Sequence, residues 1–113
     1  MDKRRFDRKL LFHYLKIMDH ASGDLAGYLG DISSQGLMLF SRSKFKNGRP
    51  AVFRVDLKKE TGQDEILVFK AKCVWCHPDA NPEYQVAGFR FVDIDRSTAD
   101  IIDYLIQKYG CGL

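Results

Sequence analysis

A chain of 113 residues with 45% hydrophobic content has apolar material for one compact core and too little for two. Eighteen Lys and Arg against fifteen Asp and Glu leave a formal charge of +3, and the first nine residues, five basic against two acidic, carry all of it. The remaining 104 residues balance thirteen against thirteen, which excludes a basic shell that would attract long nucleic acid or an anionic membrane and confines cationic chemistry to one short arm.

That arm, residues 1 to 9, holds Lys3, Arg4, Arg5, Arg8 and Lys9. Arg4 and Arg8 are spaced Arg-x-x-x-Arg, which places two side chains on one side of an extended segment or of a helical turn alike. Two converging guanidinium groups suit a guanine nucleotide: the fork matches O6 and N7 of guanine, pairs with phosphate and stacks on a base. Lys3 and Arg5 stand beside the pair and are secondary candidates.

Residues 10 to 19, "LLFHYLKIMD", alternate with period two and predict a first strand covered on both faces. "HASGD" (20 to 24) supplies a turn. Two further apolar runs, 25 to 33 and 36 to 42, are split only by Ser34 and Gln35 and predict neighbouring strands with a tight connection. Within them "DISSQG" (31 to 36) fits Asp-x-Ser-x-x-Gly. On a strand Asp31 and Ser33 share a face; the carboxylate accepts the adjacent N–H donors of a guanine edge, Ser33 donates, and Gly36 lets the chain turn where a Cβ would clash.

After "SKFKNGRP" (43 to 50), strands are expected over 51 to 57, 66 to 76 and 84 to 94, joined by a polar connection (58 to 65) and a turn-rich one (77 to 83). No helical pattern interrupts the six strands. The period changes in the tail, where Ile101, Ile102, Leu105, Ile106 and Tyr109 form one helical stripe. A helix is predicted over about 96 to 109, with Asp95 or Ser97 as N-cap and Gly110 beyond its end. Six short strands and one apolar helix describe a small antiparallel barrel or sandwich plugged at an open end.

Other residues carry weaker chemistry. Trp75 lies in an apolar strand, where an aromatic is usually core; stacking a base on an open face is its alternative role and makes it a secondary candidate. Cys73 and Cys76 form Cys-x-x-Cys, but three residues apart on a regular strand they point to opposite faces, and no second ligand pair follows, so no metal site is expected. With Cys111 they are an odd set of three, read as reduced thiols. His13, His20 and His77 stand beside no candidate nucleophile, and no catalysis is expected. No apolar run approaches the ~20 residues needed to span a bilayer, and the N-terminus lacks a secretory h-region, so a cytoplasmic protein without membrane insertion is expected.

The arm's Arg-x-x-x-Arg, some twenty residues of strand pattern, Asp-x-Ser-x-x-Gly, a Gly-x-x-Phe-like segment at Gly88 and Phe91, and a terminal helix together resemble the PilZ domain family over nearly the whole chain. The resemblance implies an all-β, six-stranded antiparallel β-barrel with a C-terminal α-helix. It implies an arm (1–9) closing over a ligand held by a single barrel domain (10–113). The ligand implied is the bacterial second messenger cyclic di-GMP, bound by Arg4 and Arg8 from the arm and by Asp31, Ser33 and Gly36 from the barrel, with no other cofactor. The output is then an unknown downstream protein partner or a change of oligomeric state such as a homodimer. The alternative is a ligand-independent adaptor in pilus or motility machinery; such adaptors tend to lack both motifs.

Overall fold

From Ile66 to Cys73 side chains are alternately exposed and buried without exception, the pattern of a strand with a core on one side and water on the other. The computed structural model describes residues 14–109. The strands are β1 (Lys16–Asp19), β2 (Leu25–Ile32), β3 (Gly36–Ser41), β4 (Pro50–Asp56), β5 (Ile66–Pro78) and β6 (Gln85–Val92); the helices are α1 (Lys58–Thr61) and α2 (Arg96–Tyr109). Strand β4 alternates in much the same way, whereas β3 and β6 carry runs of consecutively buried residues, with Phe40, Tyr84 and Val86 packed in a second cluster.

All pairings are antiparallel, and the strands close into a barrel in the order β1-β2-β3-β6-β5-β4. Closure rests on β1, which pairs with β2 on one side and with β4 through Met18↔Arg54 and Asp19↔Phe53 on the other. A closed sheet leaves no row of unpaired backbone groups. The interior is filled by aromatic rings, with Phe53 edge-on to Phe89 at 5.2 Å and Phe69 edge-on to Phe91 at 5.5 Å, the arrangement that ring quadrupoles favour. Helix α2 adds the buried Ile102 and Leu105 to this core. Asp95 caps it, accepting from the Thr98 N–H at 2.8 Å, while the Ser97 hydroxyl donates to the same carboxylate at 3.1 Å. Asp95 is therefore the cap and Ser97 its support.

The polar connection 58 to 65 contains a helical turn, contrary to the expectation of an uninterrupted run of strands. Asp56 accepts from the Lys58 N–H at 3.0 Å, and Gly62, at φ 77°, ends the turn by donating to the Lys58 carbonyl at 2.8 Å. A single turn of four residues is too short to carry an apolar stripe, so the periodicity does not announce it. The first predicted strand lies partly outside the described residues, as does Gly110.

Two irregularities aim the side chains of the site. Strand β2 slips register between Leu29 and Asp31 against β3, and β5 slips between Cys73 and Trp75 against β6. Each bulge adds one residue and so reverses the facing of everything beyond it. Regular alternation would aim Asp31 inward with the buried Leu29; the bulge pairs it with the outward Met38 and gives Ile32 the inward place opposite Leu37. In β5 the bulge turns Trp75 outward, 37% exposed, and brings Cys76 against the core that already holds Cys73. Both cysteines thus face inward, correcting the expectation of opposite faces, and Trp75 is not a core residue.

Candidate functional site

The connection between β2 and β3 is a two-residue hairpin closed by the Ser33 N–H donating to the Gly36 carbonyl at 2.8 Å. The Ser33 hydroxyl accepts from the Gln35 N–H at 3.3 Å, and the Gln35 carbonyl accepts from the Phe91 N–H at 2.9 Å, tying the turn to β6. The Asp31 carboxylate accepts from the Ile32 N–H at 2.8 Å, which fixes its orientation at the end of the bulge. Gly36 has no positive φ. Its lack of a Cβ serves a close approach instead: β3 lies so near β6 that a Cβ there would overlap the Phe89 carbonyl oxygen.

Beside this hairpin a cleft of about 250 Å³ opens, bordered by Asp31, Ser33 and Gly36 on one side and by Trp75, Gly88 and Arg90 on the other. Trp75 is clamped there. Its indole lies against Gly88, where a Cβ would fall inside the ring, and it stacks on the His77 imidazole at 5.0 Å with 16° between planes. The three barrel residues predicted from Asp-x-Ser-x-x-Gly therefore line one cleft, and Trp75 joins them across it. Arg4, Arg8, Arg5 and Lys3 lie outside the described residues.

Nothing in the linear sequence marks Arg90. It faces outward on β6 directly opposite Gly36 of β3, and only the strand order, in which β6 lies between β3 and β5, reveals that neighbourhood. Gly88 has no physical role in the Gly-x-x-Phe segment taken as sequence; the indole resting on it supplies one.

The cleft offers a carboxylate acceptor, a hydroxyl, a guanidinium and an aromatic face partly open to water. Chemically, that set is suited to a heteroaromatic ring bearing N–H donors and attached to an anion. A nucleophile, base and oxyanion-hole arrangement is not formed by these residues. Among the described residues no group of three or more His, Cys, Asp or Glu side chains converges to hold a metal ion. Burial, and secondly the neighbouring Cys76 thiol, push the Cys73 thiol up from its ordinary value. A buried, protonated thiol is a poor nucleophile or metal ligand.

The family model for the PilZ domain matches residues 2–108. Among solved structures the chain resembles the PilZ domain of YcgR from Escherichia coli with c-di-GMP, at 16% identity and TM-score 0.61, over 85% of this chain and 80% of that one. It also resembles the Bacillus subtilis inhibitor of motility, MotI/DgrA, at 14% identity and TM-score 0.66; 93% of this chain is covered but only 52% of that protein, about half its length. A third likeness is the PilZ domain of CeSA from a cellulose synthesizing bacterium, at 14% identity and TM-score 0.52, over 83% of this chain and 88% of that one. At these identities the likeness is one of fold. No curated protein matches the sequence.

Proposed function

The chain belongs to the PilZ domain family, and from that premise we propose that it is a bacterial receptor for cyclic di-GMP, a binding module rather than an enzyme, whose occupancy alters a partner interaction. The observation that carries this reading is the convergence of Asp31, Ser33, Trp75 and Arg90 on one cleft. In this reading the Asp31 carboxylate accepts the two adjacent N–H donors of a guanine edge, the Trp75 indole stacks a purine face, and Arg90 faces a phosphate or the O6 and N7 edge. The YcgR domain of the same fold is recorded with c-di-GMP, and MotI is an inhibitor of motility; both favour a signalling role of this kind here.

Arg4 and Arg8 then act from the arm, residues 1–9, which closes over the ligand on one barrel domain, residues 10–113. Ordering such a segment costs about 1 to 2 kcal/mol per residue. Charge-assisted hydrogen bonds at ~1.5 to 3 kcal/mol each must exceed that cost, so neither arginine is redundant. The same reading puts the receptor in the cytoplasm, with the messenger it binds. No helix among the described residues is long and apolar enough to cross a membrane.

Calorimetric titration of cyclic di-GMP into wild type, Arg4→Ala, Arg8→Ala and Asp31→Ala tests the reading. Each substitution is expected to weaken binding by about tenfold or more, one charged contact at ~1.4 kcal/mol per decade. Unchanged affinity in all three variants overturns the assignment of the site. Absence of binding by the wild type favours the ligand-independent adaptor instead.

A further inference from the structure

The charge balance of the chain outside its arm holds in number but not in space. On the barrel's outer surface, β4, β5 and β6 present Arg54, Lys70, Lys72 and Arg90, and their only outward acidic side chain is Asp56 at the far end of β4. Lys72 and Arg90 are directly opposite one another across the β5–β6 ladder, and Lys70 is opposite Val52 on its other side. Like charges placed cross-strand repel. Among the described residues the ion pairs involve Arg42, Lys58 and Arg96, and none reaches these four cations.

Between the cations the same face exposes aliphatic side chains. Val52 is 36% and Val68 40% exposed, with Val68 opposite Arg54. Cations interleaved with exposed valines form a mixed surface whose charge and apolar area an acidic, aliphatic segment would complement together. The barrel is closed, so a partner cannot add a strand at an edge and must dock on the face.

We propose that the outer face of β4, β5 and β6 is a docking surface for an acidic protein segment whose carboxylates alternate with aliphatic side chains. Charge complementarity selects the acidic partner: four cations that no ion pair reaches among the described residues steer and orient a polyanionic surface. The valines select protein over single-stranded nucleic acid, which binds through aromatic platforms on which bases stack. The face's row of Val52, Lys70 and Val92 offers none. Trp75, the chain's sole tryptophan, is also outward on β5, but it lies past the bulge at the cleft end of the face, seated against Gly88 and His77 and away from that row. The proposal does not depend on the nucleotide reading of the cleft.

The test uses the full chain without nucleotide and three labelled probes read by anisotropy: a short synthetic Glu/Leu peptide, a Glu/Ser peptide of equal charge, and oligothymidylate. Phosphatidylglycerol vesicles form a fourth arm by sedimentation. The Glu/Leu peptide is expected to bind most tightly. Lys70→Glu with Lys72→Glu is expected to weaken it by about tenfold or more, whereas Arg96→Glu with Lys108→Glu on α2, the same change in net charge, costs less than about twofold. Val68→Ser is expected to weaken the Glu/Leu peptide and leave the Glu/Ser peptide unchanged. Should the reversed pair fail to fold, Lys70→Gln with Lys72→Gln carries the comparison, with an intermediate loss expected. Equal losses in the two double variants overturn the proposal, as does Lys70- and Lys72-dependent binding of oligothymidylate or vesicles that exceeds binding of the Glu/Leu peptide.

Discussion

Adding one methyl group at Gly88 tests whether Trp75 is held where the cleft needs it. The alanine Cβ would occupy the space of the indole, and the ring, at the end of a side chain, yields before the β6 backbone. A Trp offers roughly 200 Å² of burial, and Trp75 is 37% exposed. About 130 Å² is therefore at stake, an upper bound of roughly 3 kcal/mol if the ring is fully ejected. Gly88→Ala is expected to cost about 1 to 3 kcal/mol in urea unfolding and to red-shift the emission of the sole tryptophan. Losing one stacked base lowers cyclic di-GMP affinity by about tenfold, within the ~1 to 3 kcal/mol that stacking contributes. The decisive comparison is a double-mutant cycle. In a Trp75→Ala background the obstruction is gone, so Gly88→Ala should be nearly neutral. If it destabilises that background as much as the wild type, the clash lies with the backbone and the account of Gly88 as the indole's seat is wrong.

Gly36→Ala is the contrasting case, because its obstruction is the Phe89 carbonyl, which no side-chain truncation removes. It is expected to lower stability by more than about 2 kcal/mol, measured by chemical unfolding, whatever stands at position 75. Lys72→Glu converts a cross-strand repulsion with Arg90 into an attraction and should raise stability by about 0.2 to 1 kcal/mol in the same assay, while weakening the docking face. The Asp95 carboxyl is held below its ordinary value of 3.8, first by the Thr98 N–H and then by its hydroxyl and that of Ser97. A lowered folded-state value means that its contribution is present above the ordinary value and fades as pH falls through the lowered one. Asp95→Asn should flatten that acid-side loss in thermal melts followed by circular dichroism. Because Arg90 borders both the cleft and the cationic face, cyclic di-GMP is expected to weaken Glu/Leu peptide binding. The peptide should weaken the nucleotide by the same factor, which paired titrations would check.

Regular alternation is readable from the chain. The run from Ile66 to Cys73 and the stripe of Ile102 and Leu105 announce a strand and a helix because each side chain's facing follows from its position alone. Asp-x-Ser-x-x-Gly points to the hairpin wall of the cleft for a comparable reason, since residues 31 to 36 are local to one turn. What escapes is whatever depends on register. Trp75 reads as core and Cys76 as outward on an unbroken period, and one inserted residue in β5 reverses both. Nothing in "KCVWCH" marks that slip, because no Gly, Asn or Asp stands at the bulge to announce it. Arg90 and the cationic face are equally hidden. They arise from the order β3-β6-β5-β4, which brings together residues distant in the chain, and a count of charges cannot express that. Helix α1 escapes for the opposite reason, being too short to have a period.

The most direct test of the central claim, that two bulges aim Asp31 and Trp75 into one cleft for cyclic di-GMP, is the emission of the sole tryptophan during titration with that nucleotide. A saturable change in Trp75 emission, coincident with the calorimetric isotherm and abolished at the same concentrations by Asp31→Ala, is the predicted result. Binding heat without any change in Trp75 emission, or an identical emission response in the Asp31 variant, would contradict it.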